Sequence, residues 1–360
     1  MNENPPNFPF IDNAHRVESR EQPQKVYNVM EARGLPSRPE MRMAEMTGEN
    51  AVVKGFKPLT SADCPNVVIG IPHAGESAPL NIRGRLTEEG DETMALLDLA
   101  TPEIFQSKKI PWAQFGITRF VVDPNRSPEF DINKKTEHGK PPGTILWSEG
   151  IRFGPMYKEG TQPTPEEVEA LAERYYLPYY NTIMGAVGTL IDRRKDKSKE
   201  RVLIIDGHSF PVTDDLKPYY THYGIEDPKK LPMFILGTRE GEGCDDDVVE
   251  AFEQALQNNY DNLPPEDREL ISKDVGGPLF IRNHYMKGVH NVKFWGAAHK
   301  EHGINALQIE CNERAYMDRP KGGAWKDFSY NEKKQSILHE LIEKTALDLD
   351  PLLKATARKV

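Results

Sequence analysis

The 360-residue chain contains little cysteine and no long apolar run. Its three cysteines, Cys64, Cys244 and Cys311, are too few and too far apart for a disulfide framework or a cysteine-rich zinc site, so we expect a cytoplasmic protein. The longest apolar stretch, near residues 67–72, is far shorter than the roughly 20 residues that a membrane-spanning helix needs. The first residues, MNENPPNFPF, lack the basic and apolar segments of a signal peptide, and no membrane association is expected.

The sequence also lacks the motifs of several large enzyme classes. It has neither a GxxxxGK[ST] nor a GxGxxG segment, which gives nucleotide binding no support, and no GxSxG segment that would place a serine nucleophile. The net charge of −10 argues against a nucleic-acid partner, which would need a basic patch. A small anionic substrate stays compatible with this charge, because a few local arginines can outweigh a diffuse negative field.

Short apolar runs alternate with helical patterns, which predicts an α/β fold. Four runs without polar alternation are predicted as buried strands, at residues 66–72, 117–123, 201–206 and 305–310. Helices are predicted from the capping box at Thr164, from Asp245 and from near Asn331. We therefore expect a mixed, mostly parallel sheet with helices on both faces in one domain of residues 61–360. Residues 1–60, with seven of the 29 prolines, are expected to form an extended arm.

Polar side chains follow three of the predicted strands. His73 and Glu76 follow the first, Asp206 and His208 end the third, and Glu310 ends the fourth. Ligands of such sheets bind at the carboxyl ends of the strands. Two histidines and one carboxylate are the ligand set of a catalytic zinc site, and a separate carboxylate can act as the base. The alternative is that His208 is a hydrogen-bonded core histidine and Glu310 a salt-bridge partner.

The remaining predicted strand runs into Asp123-Pro124-Asn125-Arg126, a candidate anion site. An arginine can form two parallel hydrogen bonds with a carboxylate, and Asn125 can add a donor. An ion pair between Arg126 and Asp123 explains the same segment equally well. Cys311 follows Glu310 and is predicted to be a buried thiol on the opposite face of its strand.

Taken in order, these segments resemble the N-formylglutamate amidohydrolases, a branch of the zinc-carboxypeptidase-like hydrolases. The matching segments are PHAG (72–75), RFVVDPNR (119–126), YYLPYY (175–180), IDGHS (205–209), LPMFILGT (231–238), GCD (243–245) and ALQIECNERAYMD (306–318). The resemblance covers about residues 66–320. It implies a carboxypeptidase-like three-layer sandwich, one zinc ion, and hydrolysis of N-formyl-L-glutamate or a close relative, as in amino-acid catabolism.

The resemblance also implies roles for individual residues. His73 and His208 would hold zinc with Glu76 as the third ligand, and Glu310 would be the general base. Arg126, with Asn125, would bind the substrate carboxylate or stabilise the oxyanion.

The chain departs from the family pattern at three places. Many members lack Glu76 and carry a Thr-Asp-Trp-His segment, matched here by residues 97–100, which makes Asp98 a rival ligand. The family's Pro-Tyr-His ends in Tyr180 here, and an arginine of its later segment is replaced by Lys293, near His290. Lysine keeps the charge but loses two-point carboxylate recognition, so the glutamate specificity stays open. Tyr180, His290 and Lys293 are predicted to line the substrate pocket.

Asp206 or Asp123 is expected to orient a ligand histidine through its second ring nitrogen. Two alternatives to N-formylglutamate hydrolysis remain: a binding protein that has lost turnover, and a zinc hydrolase of another N-acyl or peptide substrate. The oligomeric state is left open.

Overall fold

A computed structural model describes residues 24–37, 45–46, 50–55, 64–127, 145–150, 152–194, 200–222, 224–320 and 324–355. Most of the predicted arm of residues 1–60 lies outside these ranges. No helix among the described residues combines the length and apolarity needed to cross a lipid bilayer. The chain divides into two compact units: unit 1 (Met1–Val53, Gly75–Leu97, Gln114–Gly185) and unit 2 (Lys54–Ala74, Asp98–Ala113, Ala186–Val360).

The described residues form strands and short or medium helices. The strands are β1 (Gln24–Asn28), β2 (Glu45–Met46), β3 (Val52–Gly55), β4 (Val67–Ile71), β5 (Ser77–Pro79), β6 (Trp112–Phe115), β7 (Val202–Phe210), β8 (Phe234–Gly237), β9 (Phe280–Arg282), β10 (Ile304–Asn312), β11 (Met317–Asp318) and β12 (Ser329–Tyr330). The α-helices are α1 (Val29–Ala32), α2 (Leu80–Arg83), α3 (Glu88–Thr93), α4 (Thr101–Phe105), α5 (Pro165–Leu171), α6 (Leu177–Arg193), α7 (Lys217–His222), α8 (Asp246–Asp261), α9 (Pro265–Ser272), α10 (Glu332–Asp348) and α11 (Asp350–Lys354). Two π-helical segments lie at Ala172–Tyr176 and Val292–Ala297, and 3₁₀ turns at Asp214–Leu216, Pro228–Lys230, Lys300–His302 and Glu313–Ala315.

The main sheet has seven strands in the order β3-β6-β4-β7-β10-β8-β9. Strands β4, β7 and β10 are parallel, β8 is antiparallel to β10, and β9 is parallel to β8. Every residue of β7 and β10 is buried, as expected for apolar strands covered on both faces. The predicted mixed, mostly parallel α/β sheet is confirmed. Unit 1 contains a smaller sheet, β2-β1-β5.

The prediction of a strand over residues 117–123 is wrong. The strand lies earlier, at β6, and after it Ile117 makes a single bridge to Ser77. The Thr118 hydroxyl then donates to the Met94 carbonyl at 3.0 Å, and the chain turns. The apolar residues of this run are nevertheless buried. An apolar run indicates burial, and a turn inside a core satisfies it as well as a strand does.

The predicted helix starts are confirmed by their caps. The Thr164 hydroxyl accepts from the Glu167 N–H at 3.3 Å, and the Glu167 carboxylate accepts from the Thr164 N–H at 2.9 Å, a complete capping box. Helix α8 begins after Asp245, and Asn331 caps α10. These helices bury their apolar stripes, among them Leu338, which has no exposed surface.

The three cysteines differ in burial. Cys244 and Cys311 are fully buried, which confirms the predicted buried thiol at Cys311, whereas Cys64 is half-buried. Burial raises the pKa of the Cys244 thiol, and burial together with the charge of Glu310 raises that of Cys311. Both thiols therefore stay protonated at neutral pH.

Strand β7 needs a glycine between two polar residues. Asp206 and His208 share one face of the strand, and Gly207 lies on the other face against Phe105. A Cβ atom at Gly207 would lie 2.7 Å from the Phe105 ring. Only a residue without a side chain fits here unless the ring moves.

Gly207→Ala is therefore expected to lower the free energy of unfolding by about 1–3 kcal/mol, the usual cost of overpacking a core. Urea denaturation measures the change. Gly185→Ala in α6 is the matched control, because no neighbouring heavy atom lies within 4 Å of its Cβ position. Alanine is the better helix former, so the control should be neutral or more stable by up to about 1 kcal/mol. Equal destabilisation at both positions would contradict the packing argument.

Candidate metal centre

Three side chains of unit 2 converge: His73 follows β4, Asp98 precedes α4, and His208 lies on β7. The Nδ1 atoms of His73 and His208 are 3.0 Å apart. Asp98 Oδ2 lies 3.2 Å from His208 Nδ1 and 3.5 Å from His73 Nδ1. The exposed fractions of the side chains of His73, Asp98 and His208 are 2%, 7% and 1%. Two imidazole nitrogens and one carboxylate oxygen thus form a buried triangle, which we call the His-Asp-His triangle.

The dimensions of the His-Asp-His triangle fit a metal ion. With metal–ligand distances of about 2.0–2.1 Å, two ligands of a tetrahedral ion are about 3.3 Å apart. The three observed separations bracket this value. Within the described ranges, these residues form the one group of three or more such side chains that can hold a metal ion. Imidazole and carboxylate ligands suit zinc and related divalent ions.

Asp98 is fixed by its backbone neighbours. The Asp98 N–H donates to the His73 carbonyl at 3.2 Å, and the Thr101 hydroxyl donates to the Asp98 carbonyl at 2.8 Å. The Ser209 N–H donates to Asp98 Oδ2 at 3.1 Å. Burial by itself raises the pKa of the Asp98 carboxyl, but the charge of His73 and the hydrogen bonds with both imidazoles lower it below its usual value. Asp98 therefore remains a carboxylate.

His208 is oriented from its far side. Its Nε2 lies 2.8 Å from Asp206 Oδ2, and the Asn291 side-chain amide donates to Asp206 Oδ1 at 2.9 Å. An Nε2–H that donates to Asp206 leaves the Nδ1 atom facing the triangle. Burial opposes protonation, but the charge and hydrogen bond of Asp206 raise the pKa of His208 well above its usual value. A metal ion at Nδ1 would displace that proton.

Strand β10 places two polar residues, Gln308 and Glu310, beside Asp206 and His208 of β7. In the parallel register of β7 and β10, Glu310 is opposite His208 and Gln308 is opposite Asp206. Both β10 residues are buried, and Glu310 is 8% exposed. The Gln308 amide donates to Glu310 Oε1 at 2.6 Å. Glu310 is not a member of the triangle, so this face carries a carboxylate beside the ligand set.

A second cluster, in unit 1, surrounds Asp123. Its Oδ2 accepts from Arg126 Nε at 3.1 Å, from Arg119 Nη2 at 3.3 Å and from Trp147 Nε1 at 3.0 Å. Its Oδ1 accepts from the Asn125 N–H at 2.9 Å. The Arg126 guanidinium also lies 3.7 Å above the Trp147 ring centroid. Arg126 thus forms an ion pair with Asp123, one of the two roles that the sequence allowed for it; the other role, substrate binding, stays a prediction.

Two tyrosines of unit 1 hold the same segment. The Tyr180 hydroxyl donates to the Pro124 carbonyl at 2.8 Å, and the Tyr176 hydroxyl donates to the Arg126 carbonyl at 3.0 Å. Their rings stack with centroids 4.4 Å apart. Tyr180, predicted to line the substrate pocket, is therefore buried and supports the backbone at residues 124–126.

The other predicted site residues lie in different settings. Glu76 is outside the triangle, and its Oε2 accepts from the Asn28 amide at 3.1 Å. Lys293 is exposed on the π-helical segment Val292–Ala297. The ring of His290 is half-buried and 5.8 Å from that of Phe294. These substrate-binding and ligand roles stay predictions.

Sequence reasoning missed Gln308 and Asn291. The signal for Gln308 was present, because a residue two before Glu310 in a strand shares its face. Asn291 had no such signal, since it lies 85 positions along the chain from its partner Asp206. Only the folded chain brings these two together.

The sequence matches a known protein family and two named relatives. A sequence model of the N-formylglutamate amidohydrolase family matches residues 65–317. A relative from Pseudomonas putida named N-formylglutamate deformylase is 26% identical over 297 residues, covering 80% of this chain and 91% of the relative. A relative of the same name from Pseudomonas aeruginosa is 23% identical over 281 residues, covering 77% and 91%.

One solved structure extends the comparison to the fold. The N-formylglutamate amidohydrolase from Ralstonia eutropha JMP134 superimposes with a TM-score of 0.59 and 22% identity. The match covers 84% of this chain and 98% of that chain. At this identity the likeness bears on the fold alone.

Proposed function

This chain belongs to the N-formylglutamate amidohydrolase family, and from that premise we propose that it cleaves the amide bond of N-formyl-L-glutamate or a close relative with one zinc ion. Membership confirms the resemblance found in the sequence and makes the chain a hydrolase. The products would be the free amino acid and formate or another acid. The observation that carries the proposal is the buried His-Asp-His triangle.

In this proposal His73, His208 and Asp98 would hold the zinc ion, because the Nδ1 atoms of the two histidines and Oδ2 of Asp98 face one another. Asp98 is preferred to Glu76 because Asp98 Oδ2 lies within 3.5 Å of both imidazole nitrogens. Zinc, when bound, acts as a Lewis acid that makes water more acidic and polarises a carbonyl oxygen.

The remaining steps belong to the chain's own side chains. Glu310 accepts a proton from the attacking water and returns it to the nitrogen of the leaving amine as the C–N bond breaks. Asp206 keeps the His208 ring in one orientation. Arg126 and Asn125 stay the predicted partners of the substrate carboxylate.

The test is a metal analysis of the purified chain with a substrate panel. The panel contains N-formyl-L-glutamate, N-formyl-L-aspartate, an N-formyl amino acid with an apolar side chain, N-acetyl-L-glutamate and a dipeptide. We expect one zinc ion per chain, the highest kcat/KM for N-formyl-L-glutamate, loss of activity on chelation and recovery when zinc is returned.

Each other outcome contradicts part of the proposal. Full activity of the metal-free chain would reject the proposed dependence of hydrolysis on zinc. Zinc without hydrolysis of any panel member would indicate a binding protein. Preference for the acetyl compound or the dipeptide would keep the zinc chemistry and reject the substrate.

A further inference from the structure

Gln308 lies between Glu310 and a stretch of backbone, residues 287–291. Gln308 and Glu310 are two residues apart on β10 and share one face of the sheet. Both are buried, and the Gln308 amide nitrogen donates to Glu310 Oε1 at 2.6 Å. The amide N–H of Gln308 therefore contacts the Glu310 carboxyl group directly.

The orientation of the Gln308 amide is fixed from its other end. The Val289 backbone N–H donates to Gln308 Oε1 at 3.3 Å. Because a backbone N–H can only donate, the amide oxygen must face Val289 and the amide nitrogen must face Glu310. An amide N–H cannot accept the proton of Glu310, so the bond holds the carboxylate without neutralising it.

A glycine makes room for residues 287–291 beside the sheet. Gly237 on β8 is the register neighbour of Gln308 on β10. A Cβ atom at Gly237 would lie 2.5 Å from the backbone nitrogen of Gly288. The missing side chain lets this backbone approach the sheet and bring the Val289 N–H to Gln308.

The same stretch also reaches a proposed metal ligand. Asn291, which is fully buried, donates to Asp206 Oδ1 at 2.9 Å. Asp206 Oδ2 in turn lies 2.8 Å from His208 Nε2. Residues 287–291 therefore contact the side chains that orient both the base and one ligand.

We propose that Gln308 is a positioning residue for Glu310. Its amide, oriented by Val289, holds the Glu310 carboxylate in the orientation in which it accepts a proton from water. This inference rests on the proposed function. Gln308 acts through Glu310, so its loss should lower turnover without changing substrate binding or metal content.

The experiment uses two variants of the full zinc-loaded chain. Gln308→Met keeps the length of the side chain and loses both amide contacts. Gln308→Leu also loses both amide contacts and adds no second carboxyl group beside Glu310. For both we expect kcat to fall by about 10- to 100-fold, the scale of a small misplacement of a reacting group. KM should stay within about twofold, with one zinc ion per chain.

Gln335→Met is the matched control. Gln335 is buried on α10, and its amide nitrogen has no hydrogen-bond partner among the described residues. It belongs to no part of the site, so this change should leave kcat unaltered. An equal loss of kcat in the control would overturn the assignment to Gln308.

A double variant separates positioning from general damage. In a Glu310→Gln background, Gln308→Met should cause no further loss, because its effect passes through the carboxylate. A full additional loss, a raised KM or missing zinc would overturn the inference. If the wild-type chain hydrolyses no panel member, the proposed function fails, and the crystal structure of zinc-loaded Gln308→Met decides: a displaced Glu310 carboxylate supports the inference, and an unmoved one rejects it.

Discussion

Glu310→Gln is expected to lower kcat by about 10²- to 10⁴-fold, the usual contribution of a general acid–base residue. The amide nearly matches the carboxylate in size but cannot take a proton from water or return it to an amine. Zinc should remain at one ion per chain, because Glu310 lies outside the His-Asp-His triangle. Steady-state kinetics and elemental analysis of one preparation measure both quantities.

The control for this change is Glu340→Gln, which alters an exposed side chain of α10. It should leave kcat and zinc content at wild-type values. Full activity of Glu310→Gln would reject the base role. Loss of zinc from that variant would instead make Glu310 a ligand.

Asp98→Asn is expected to weaken zinc binding by at least about 100-fold and to abolish hydrolysis at limiting zinc. Residues that merely orient a ligand account for about 10- to 100-fold in metal affinity, and a ligand should exceed that range. The amide keeps an oxygen for the Ser209 N–H, so the local fold should survive. Competition with a chromogenic chelator gives the affinity, and circular dichroism checks the fold.

Glu76→Gln is the matched comparison, because Glu76 was the sequence-based candidate for the same role. Its carboxylate accepts from Asn28, a contact that an amide oxygen can keep. We expect zinc affinity to stay near the wild-type value, because Glu76 lies outside the His-Asp-His triangle. The reverse pattern, with zinc lost from Glu76→Gln and kept by Asp98→Asn, would transfer the third ligand to Glu76.

Much of the fold could be predicted because burial leaves a clear pattern in parallel strands. The runs at 66–72, 201–206 and 305–310 contain β4 and the cores of β7 and β10. The run at 117–123 carries the same pattern, yet its backbone turns: the N–H groups of Val121 and Val122 both donate to the Thr118 carbonyl. Composition alone cannot separate these cases, since both bury the same side chains.

The site was predictable to the extent that its residues follow strands. His73, His208 and Glu310 were identified from strand ends, and Asp98 only from a departure from the family pattern. Asp98 follows no strand, and its position depends on hydrogen bonds from Thr101 and Ser209 that no local signal encodes. Residues that orient others, such as Asn291, were missed because their contacts are set by tertiary packing.

The burial of Cys244 and Cys311 bears on how the protein can be handled at the bench. Thiolates, not thiols, are alkylated and oxidised, and both of these groups stay protonated inside the core. Reductants can therefore be left out of zinc titrations, in which a dithiol would itself compete for the ion. Maleimide should label the native chain once, at Cys64, and three times after denaturation, giving a single attachment point for a fluorophore without mutagenesis.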